Sequence, residues 1–129
     1  MNWRRIWTGG LLAGLALFSF EAAGYCLTGA FRLPGSLESF LIENILFSFV
    51  TGTILCGLYV LARPRLGPGP MTALVMGSIS FVLMDGAFLF NPRVWALSAL
   101  LILKQLGLSW IKCVAATYIA GWQYIEKAP

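Results

Sequence analysis

Long apolar runs make up most of this chain, and only short segments containing Pro, Gly or Arg separate them. The segment that constrains the fold most is residues 63–70, which read Arg-Pro-Arg-Leu-Gly-Pro-Gly-Pro. Proline cannot continue a helix and disfavours the helical conformation in the residue before it. Three prolines and two glycines within eight residues therefore predict a non-helical connection between two apolar runs, and Arg63 and Arg65 give it positive charge. We interpret it as a cytoplasmic loop that joins two helical hairpins in a membrane.

The composition agrees with a single membrane domain. Of the 129 residues, 59% are hydrophobic and 11% are charged, whereas soluble domains average about 45–50% and about 25%. The pattern predicts an all-α integral membrane four-helix bundle with spans over roughly residues 6–31, 37–62, 71–90 and 94–125. The fourth run is longer than a simple crossing needs, so it predicts a strong tilt, an extension beyond the bilayer or a break near Gly107.

The distribution of positive charge predicts the orientation of these spans. Basic residues are enriched in cytoplasmic loops, and here five lie at the ends or in the 63–70 segment, against two in the other turns. The five are Arg4, Arg5, Arg63, Arg65 and Lys127, and the two are Arg32 and Arg93. We therefore expect both termini in the cytoplasm of a bacterial cell, with the spans in its inner membrane.

The N-terminal segment also has the layout of a secretory signal peptide. A basic start is followed by an apolar core from Ile6 to Phe20 and by small residues at 22–24. Because the apolar run resumes and continues to Phe31, we favour an uncleaved first span over a cleaved signal.

The sequence lacks residues that several classes of protein function require. Histidine is absent, which excludes imidazole as a base, haem ligand or zinc ligand. Cys26, Cys56 and Cys113 lie in apolar runs and form no CxxC pair, so we interpret them as small residues of the helix contacts. We expect no cofactor, no metal site and no nucleic-acid partner. The lipid bilayer is the expected environment, and the net charge of +4 is interpreted as orientation within it.

Five ionisable residues fall inside the predicted spans, where such residues are costly and usually face the interior of a bundle. Counted at 1.5 Å per residue from the cytoplasmic end of each span, Glu21, Asp85 and Lys112 lie at depths of about 15–22 Å. We predict that these three form a central polar cluster. Glu43 and Lys104 lie at about 27–30 Å and are expected in an outer polar layer.

Small and polar residues recur on each run at three- and four-residue steps, which places them on one face of each helix. Gly10 and Gly14 form a small-xxx-small pattern, and we predict that they bring two helices close together. The predicted inward face of the first run contains Gly10, Gly14, Leu17, Glu21, Gly24 and Thr28. The predicted inward face of the second run contains Asn44, Ser48, Thr51 and Gly52. That of the third contains Leu74, Ser78, Phe81 and Asp85. That of the fourth contains Gln105, Ser109, Lys112, Ala116 and Ala120.

The polar cluster has two interpretations. Glu21, Asp85 and Lys112 can neutralise one another and fix the helix register, or they can form a site for a cation, a proton or a polar head group. Two acids facing one base leave one carboxyl without an opposite charge, which fits either a proton-coupled site or an inert protonated acid.

The chain resembles a family of small, uncharacterised bacterial four-helix integral membrane proteins with an RPRxGPGP cytoplasmic loop. The segments that carry the resemblance are residues 9–14, Leu58-Tyr59, 63–70 with Thr72-Ala73, and 120–126. The resemblance implies the fold and the location but no activity. Members often carry an acidic residue about where Lys112 stands here, so the charge balance of the centre differs. Size and a lone Glu21 are also similar to small multidrug-resistance exporters, but the surrounding residues and the charge bias do not follow that pattern.

Three functions remain as hypotheses. The first is a non-catalytic accessory, structural or oligomerising membrane component, acting as a homo-oligomer or within a larger membrane complex. The second is a small oligomeric transporter or channel that uses the Glu21/Asp85/Lys112 cluster. The third is an enzyme acting on lipid with Glu43 and Asp85 as acid and base, although no activated nucleophile or phosphate-binding loop accompanies them. We interpret Arg63 and Arg65 as topology anchors that can also contact anionic lipid.

Overall fold

The computed structural model describes residues 3–28, 37–86 and 99–124, which form four α-helices and, within those ranges, no strand. The helices are α1 (Trp3–Thr28), α2 (Leu37–Leu66), α3 (Pro70–Asp85) and α4 (Ala99–Gln123). This confirms the all-α class. Three of the four, α1, α2 and α4, are long and apolar enough to cross a membrane. The described part of α3 has 16 residues, which is shorter than a simple crossing requires.

The fourth helix is continuous through Gly107, so a break at that residue is wrong. The structure describes 25 residues of α4, which at 1.5 Å per residue extend over about 37 Å. A moderate tilt accommodates that length in a hydrocarbon core of about 30 Å. The predicted start of this span at 94–98 lies outside the described residues, as do Arg32, Arg93 and Lys127, which enter the charge count.

The corner between α2 and α3 differs from the predicted eight-residue loop. α2 continues to Leu66 with Pro64 inside its last turn, and α3 begins at Pro70, so the connection is only residues 67–69. Pro64 has no N–H to donate, so α2 lacks one backbone hydrogen bond in this turn but still continues to Leu66. Gly67 then ends α2 with φ of 81° and a 2.9 Å hydrogen bond from its N–H to the carbonyl of Arg63. That pairing is the αL form of helix C-cap, which favours glycine.

The closest helix pair is α1 with α2, and glycines make the approach possible. A Cβ atom added to Gly52 would lie 2.3 Å from the backbone nitrogen of Gly14 and 2.5 Å from the carbonyl oxygen of Gly10. Added Cβ atoms on Gly10 and Gly14 would in turn lie 2.7 and 2.8 Å from the backbone of α2. The predicted small-xxx-small pair therefore packs within the monomer, against a third glycine on α2.

The second pair is α3 with α4, and here the predicted inward face of α3 is wrong. Leu74 is exposed, and Ser78 and Phe81 are half-buried. The buried residues of α3 are Thr72, Ala73, Gly77 and Ser80. Three of these, Ala73, Gly77 and Ser80, are small residues at four- and three-residue steps, so they share one face of α3 and allow close approach to α4. A Cβ on Gly77 would lie 2.7 Å from the Cα of Val114 on α4.

The core of the bundle lies between α1, α2 and α4. Its fully covered side chains include Ala13, Leu55, Cys56, Ala116 and Ala120. Most of these are small, so the helix backbones lie close together and the larger apolar residues point outward. Such an inversion of the soluble pattern is typical of helices that pack within lipid.

Candidate functional site

A polar cavity of about 230 Å³ lies within the bundle and is the candidate site. Its polar lining comes from α1 (Glu21), α2 (Asn44, Ser48 and Thr51) and α4 (Lys112). Apolar and weakly polar side chains complete the wall: Leu17, Phe47, Met84 and Cys113. All four helices contribute, which is why no single stretch of sequence identifies the cavity.

An ion pair between Glu21 and Lys112 forms one side of the cavity. The Nζ of Lys112 donates a hydrogen bond to the Oε1 of Glu21, across 91 residues of sequence. The side chains are 36% (Glu21) and 19% (Lys112) exposed, and both line the cavity. The structure thus brings together two of the three residues predicted to form the central cluster. Paired charges are the form in which ionisable residues are tolerated at membrane depth.

The third predicted member, Asp85, is the last residue of α3, and its side chain lies outside the described part of the structure. Its neighbour Met84 lines the cavity. What the described residues provide is therefore a pair of opposite charges.

Three residues of α2 add hydrogen-bonding groups to this pair. Ser48 and Thr51 are almost fully buried, at 3% and 4% exposure, and Asn44 is half-buried. All three belong to the inward face that the sequence predicted for this helix. Hydroxyl and amide groups both donate and accept hydrogen bonds. Among the described residues, the lining is consequently neutral in total charge and able to bind a polar molecule through several contacts.

The groups that line this site are suited to binding a polar ligand. Among the described residues, no group of three or more His, Cys, Asp or Glu side chains could hold a metal ion. Cys113, the cysteine in the cavity wall, is 2% exposed. The arrangement can hold, orient and neutralise a polar ligand.

The predicted outer layer does not join this cavity. Glu43 on α2 and Lys104 on α4 are both exposed, and neither lines the cavity. Gln105, which the sequence placed on the inward face of its helix, is exposed as well. The face of α4 that turns inward begins only at Ser109.

The two arginines of the α2–α3 corner occupy different surroundings. The guanidinium of Arg63 lies over the ring of Tyr124, 5.5 Å from its centroid, which is a cation–π contact. Arg65 is exposed. Arg63 therefore joins the end of α2 to the end of α4, a contact that the interpretation as a topology anchor did not predict.

Sequence reasoning also missed the role of Tyr59. This side chain is 4% exposed, and its hydroxyl oxygen accepts a 3.1 Å hydrogen bond from the N–H of Gly69. A Cβ on Gly121 would lie 2.6 Å from the Tyr59 ring.

A second cavity, of about 560 Å³, is an apolar groove between α3 and α4. It is lined from Pro70 to Leu74 on one side and from Trp110 to Tyr118 on the other. The Nε1 of Trp110 donates a 2.9 Å hydrogen bond to the Oγ of Ser78. The surface of the groove is almost entirely apolar, so it can contact apolar groups but offers few hydrogen-bonding partners.

Within the described ranges, the fold and site define a helical protein with three candidate membrane helices and a charge-paired internal cavity. No protein-family model, curated protein or solved structure matches the chain.

Proposed function

We propose that this protein is a multi-pass component of the bacterial inner membrane with both termini in the cytoplasm, and that it acts without catalysis as an accessory, structural or oligomerising subunit. The three long apolar helices support a membrane location. Arg63 and Arg65 in the last turn of α2 support the orientation, because basic residues are enriched on the cytoplasmic side.

The observation that carries this proposal is that few residues of α4 are buried by the other helices. Only 17% of its apolar stretch is buried, against 33% for the corresponding stretches of α1 and α2. Its exposed residues include Lys104 and Gln105, which lose hydrogen-bonding partners in lipid. A helix from a second copy or from another membrane protein would supply such partners and bury this face.

Native mass spectrometry of the protein, extracted gently from its own membrane, tests the proposal. A heteromeric assembly supports an accessory subunit, and a homo-oligomer supports self-assembly. A lone chain that binds no partner and shows a saturable ligand contradicts both.

A matched pair of variants makes the test specific to α4. Leu103 on α4 and Leu61 on α2 are each 69% exposed. If α4 forms the contact, Leu103→Trp weakens the assembly by overpacking it, while Leu61→Trp leaves it intact. Equal effects of the two variants would assign the contact elsewhere.

The polar cavity supports a second candidate function, a small oligomeric transporter or channel. In this proposal Glu21 and Lys112 line the path, with Asp85 as a third member. Four helices enclose little volume, so two or more copies would form the conduit.

Proton flux into liposomes that contain the purified protein tests this second candidate. Loss of flux in Glu21→Gln, with flux retained in Glu43→Gln, supports it, because only Glu21 belongs to the cavity. Unchanged flux after Glu21→Gln and Asp85→Asn contradicts it.

A further inference from the structure

We infer that the cavity beside the Glu21–Lys112 pair binds a small zwitterion, a molecule with one ammonium and one carboxylate group. The inference deepens the second candidate function, and it rests on that function in taking the Glu21–Lys112 cavity as the binding site. It concerns binding alone, so it holds whether or not the bound molecule crosses the membrane.

The charges of the cavity carry the first step. The pair contributes one positive and one negative group, and both partly exposed side chains line the cavity. An anion would draw Lys112 away from Glu21 and leave that carboxylate without its counterion, and a cation at Glu21 would lie against the like charge of Lys112. Both are costly for charges held away from water. A zwitterion places its carboxylate at Lys112 and its ammonium at Glu21, so every charge keeps an opposite partner.

The neighbouring hydrogen-bonding groups carry the second step. Ser48 and Thr51 of α2 line the same space, and their hydroxyls can bond to a carboxylate oxygen or to an ammonium hydrogen. A neutral polar ligand could use these groups as well. Its hydrogen bonds to Ser48 and Thr51 would be neutral, whereas a charged ligand group forms bonds about twice as strong with the same hydroxyls. The site therefore favours the ligand that is charged at both ends.

The size of the cavity limits the length of that ligand. A volume of about 230 Å³ equals that of roughly eight water molecules at about 30 Å³ each. The head groups of Glu21 and Lys112 are in direct contact, so a short spacer between the two charges of the ligand is sufficient. An amino acid with two or three carbons between its charged groups fits both limits.

The test compares four molecules of nearly equal size on the purified full-length protein in lipid nanodiscs. β-Alanine carries both charges, propionate only the negative one, propylamine only the positive one, and propionamide none. A ligand that binds the folded state raises the melting temperature in a saturable way, and the concentration dependence gives its Kd. We expect β-alanine to bind at least about tenfold more tightly than each of the other three, a difference of about 1.4 kcal/mol.

Variants connect that preference to the pair. Glu21→Gln and Lys112→Gln should each abolish the advantage of β-alanine, while Glu43→Gln and Lys104→Gln should retain it because those residues lie outside the cavity. The exchange Glu21→Lys with Lys112→Glu preserves a pair of opposite charges. It should retain β-alanine binding and provides a readout if a single variant does not fold.

Three results would overturn the inference. They are no shift with either β-alanine or its longer homologue 4-aminobutyrate, equal binding of propionate or propylamine, and an advantage of β-alanine that survives Glu21→Gln. Binding of β-alanine without any flux would overturn transport while leaving the binding site in place.

Discussion

The backbone N–H of Gly69 donates a 3.1 Å hydrogen bond to the hydroxyl oxygen of Tyr59, and this bond joins the α2–α3 corner to the body of α2. Tyr59 lies about two turns before the corner and is almost fully buried. Gly69 has φ of 140°, a conformation that glycine adopts readily and other residues rarely do. The same corner is closed from the α3 side, where the Oγ1 of Thr72 donates a 2.5 Å hydrogen bond to the carbonyl of Gly67. The corner is thus held from both helices.

Replacing Tyr59 by Phe should destabilise the protein by about 1–3 kcal/mol, because the Gly69 N–H loses its acceptor while the ring remains in place. Thermal unfolding of the purified protein in detergent measures the effect. Tyr118→Phe is the control, since Tyr118 is 53% exposed and should change the melting temperature little. Equal melting temperatures for wild type and Tyr59→Phe would show that the bond contributes nothing to stability.

The contact of α1 with α2 gives a second prediction, at Gly52. A Cβ on Gly52 would lie within 2.5 Å of backbone atoms of both Gly10 and Gly14, and backbone cannot move aside as a side chain can. Gly52→Ala should therefore force the helices apart and cost about 1–3 kcal/mol or more.

Gly57 on the same helix is the matched control for Gly52. A Cβ there would meet no atom within 4 Å. Gly57→Ala should leave stability unchanged or raise it by about 0.5–1 kcal/mol, because alanine is the better helix former. If the two alanine variants unfold alike, the helices do not approach each other as closely as the structure describes.

The sequence predicts the inward face of a helix only where small and polar residues are concentrated on one side of that helix. α1 and α2 carry small and polar residues on one face, so their inward faces, including Glu21 and Ser48, were predicted from spacing. On α3 the prediction followed Leu74, Ser78 and Phe81 and missed the small-residue face that contains Gly77, which lies against α4. Local reasoning about Pro64 also placed the end of α2 four residues early, because α2 continues through this proline to Leu66.

The pairing of Glu21 with Lys112 was only partly predictable. Counting residues from the helix ends placed both at a similar depth, but depth does not determine which faces meet. The choice depends on α4 lying along α1, a tertiary contact between residues 91 positions apart. The cavity beside the pair follows from the same contact and could not be read from any one helix.

The topology gives a third prediction, which Pro68 tests. The residue lies in the short connection between α2 and α3 and is exposed. In Pro68→Cys, a membrane-impermeant thiol reagent should label inverted vesicles and leave intact spheroplasts unlabelled, because the proposed orientation places this corner in the cytoplasm. The variant is made in a Cys26→Ser background, because the side chain of Cys26 lies outside the described part of the structure. Cys56 and Cys113 are buried in the bundle and should contribute little background. Labelling from the outer side would reverse the proposed orientation.

The ion pair gives the last prediction. Replacing Lys112 by Met leaves Glu21 without its counterion and should destabilise the protein by roughly 1–3 kcal/mol, less than for a fully buried pair because Glu21 is 36% exposed. Lys104→Met is the control, since Lys104 is exposed and lies outside the cavity. Adding Glu21→Gln to Lys112→Met should restore most of the loss, because it removes the charge that the first change left unpaired. Melting temperatures of wild type, Lys112→Met, Glu21→Gln and the double variant form a double-mutant cycle. Simple additivity of the two single losses would mean that the pair does not couple.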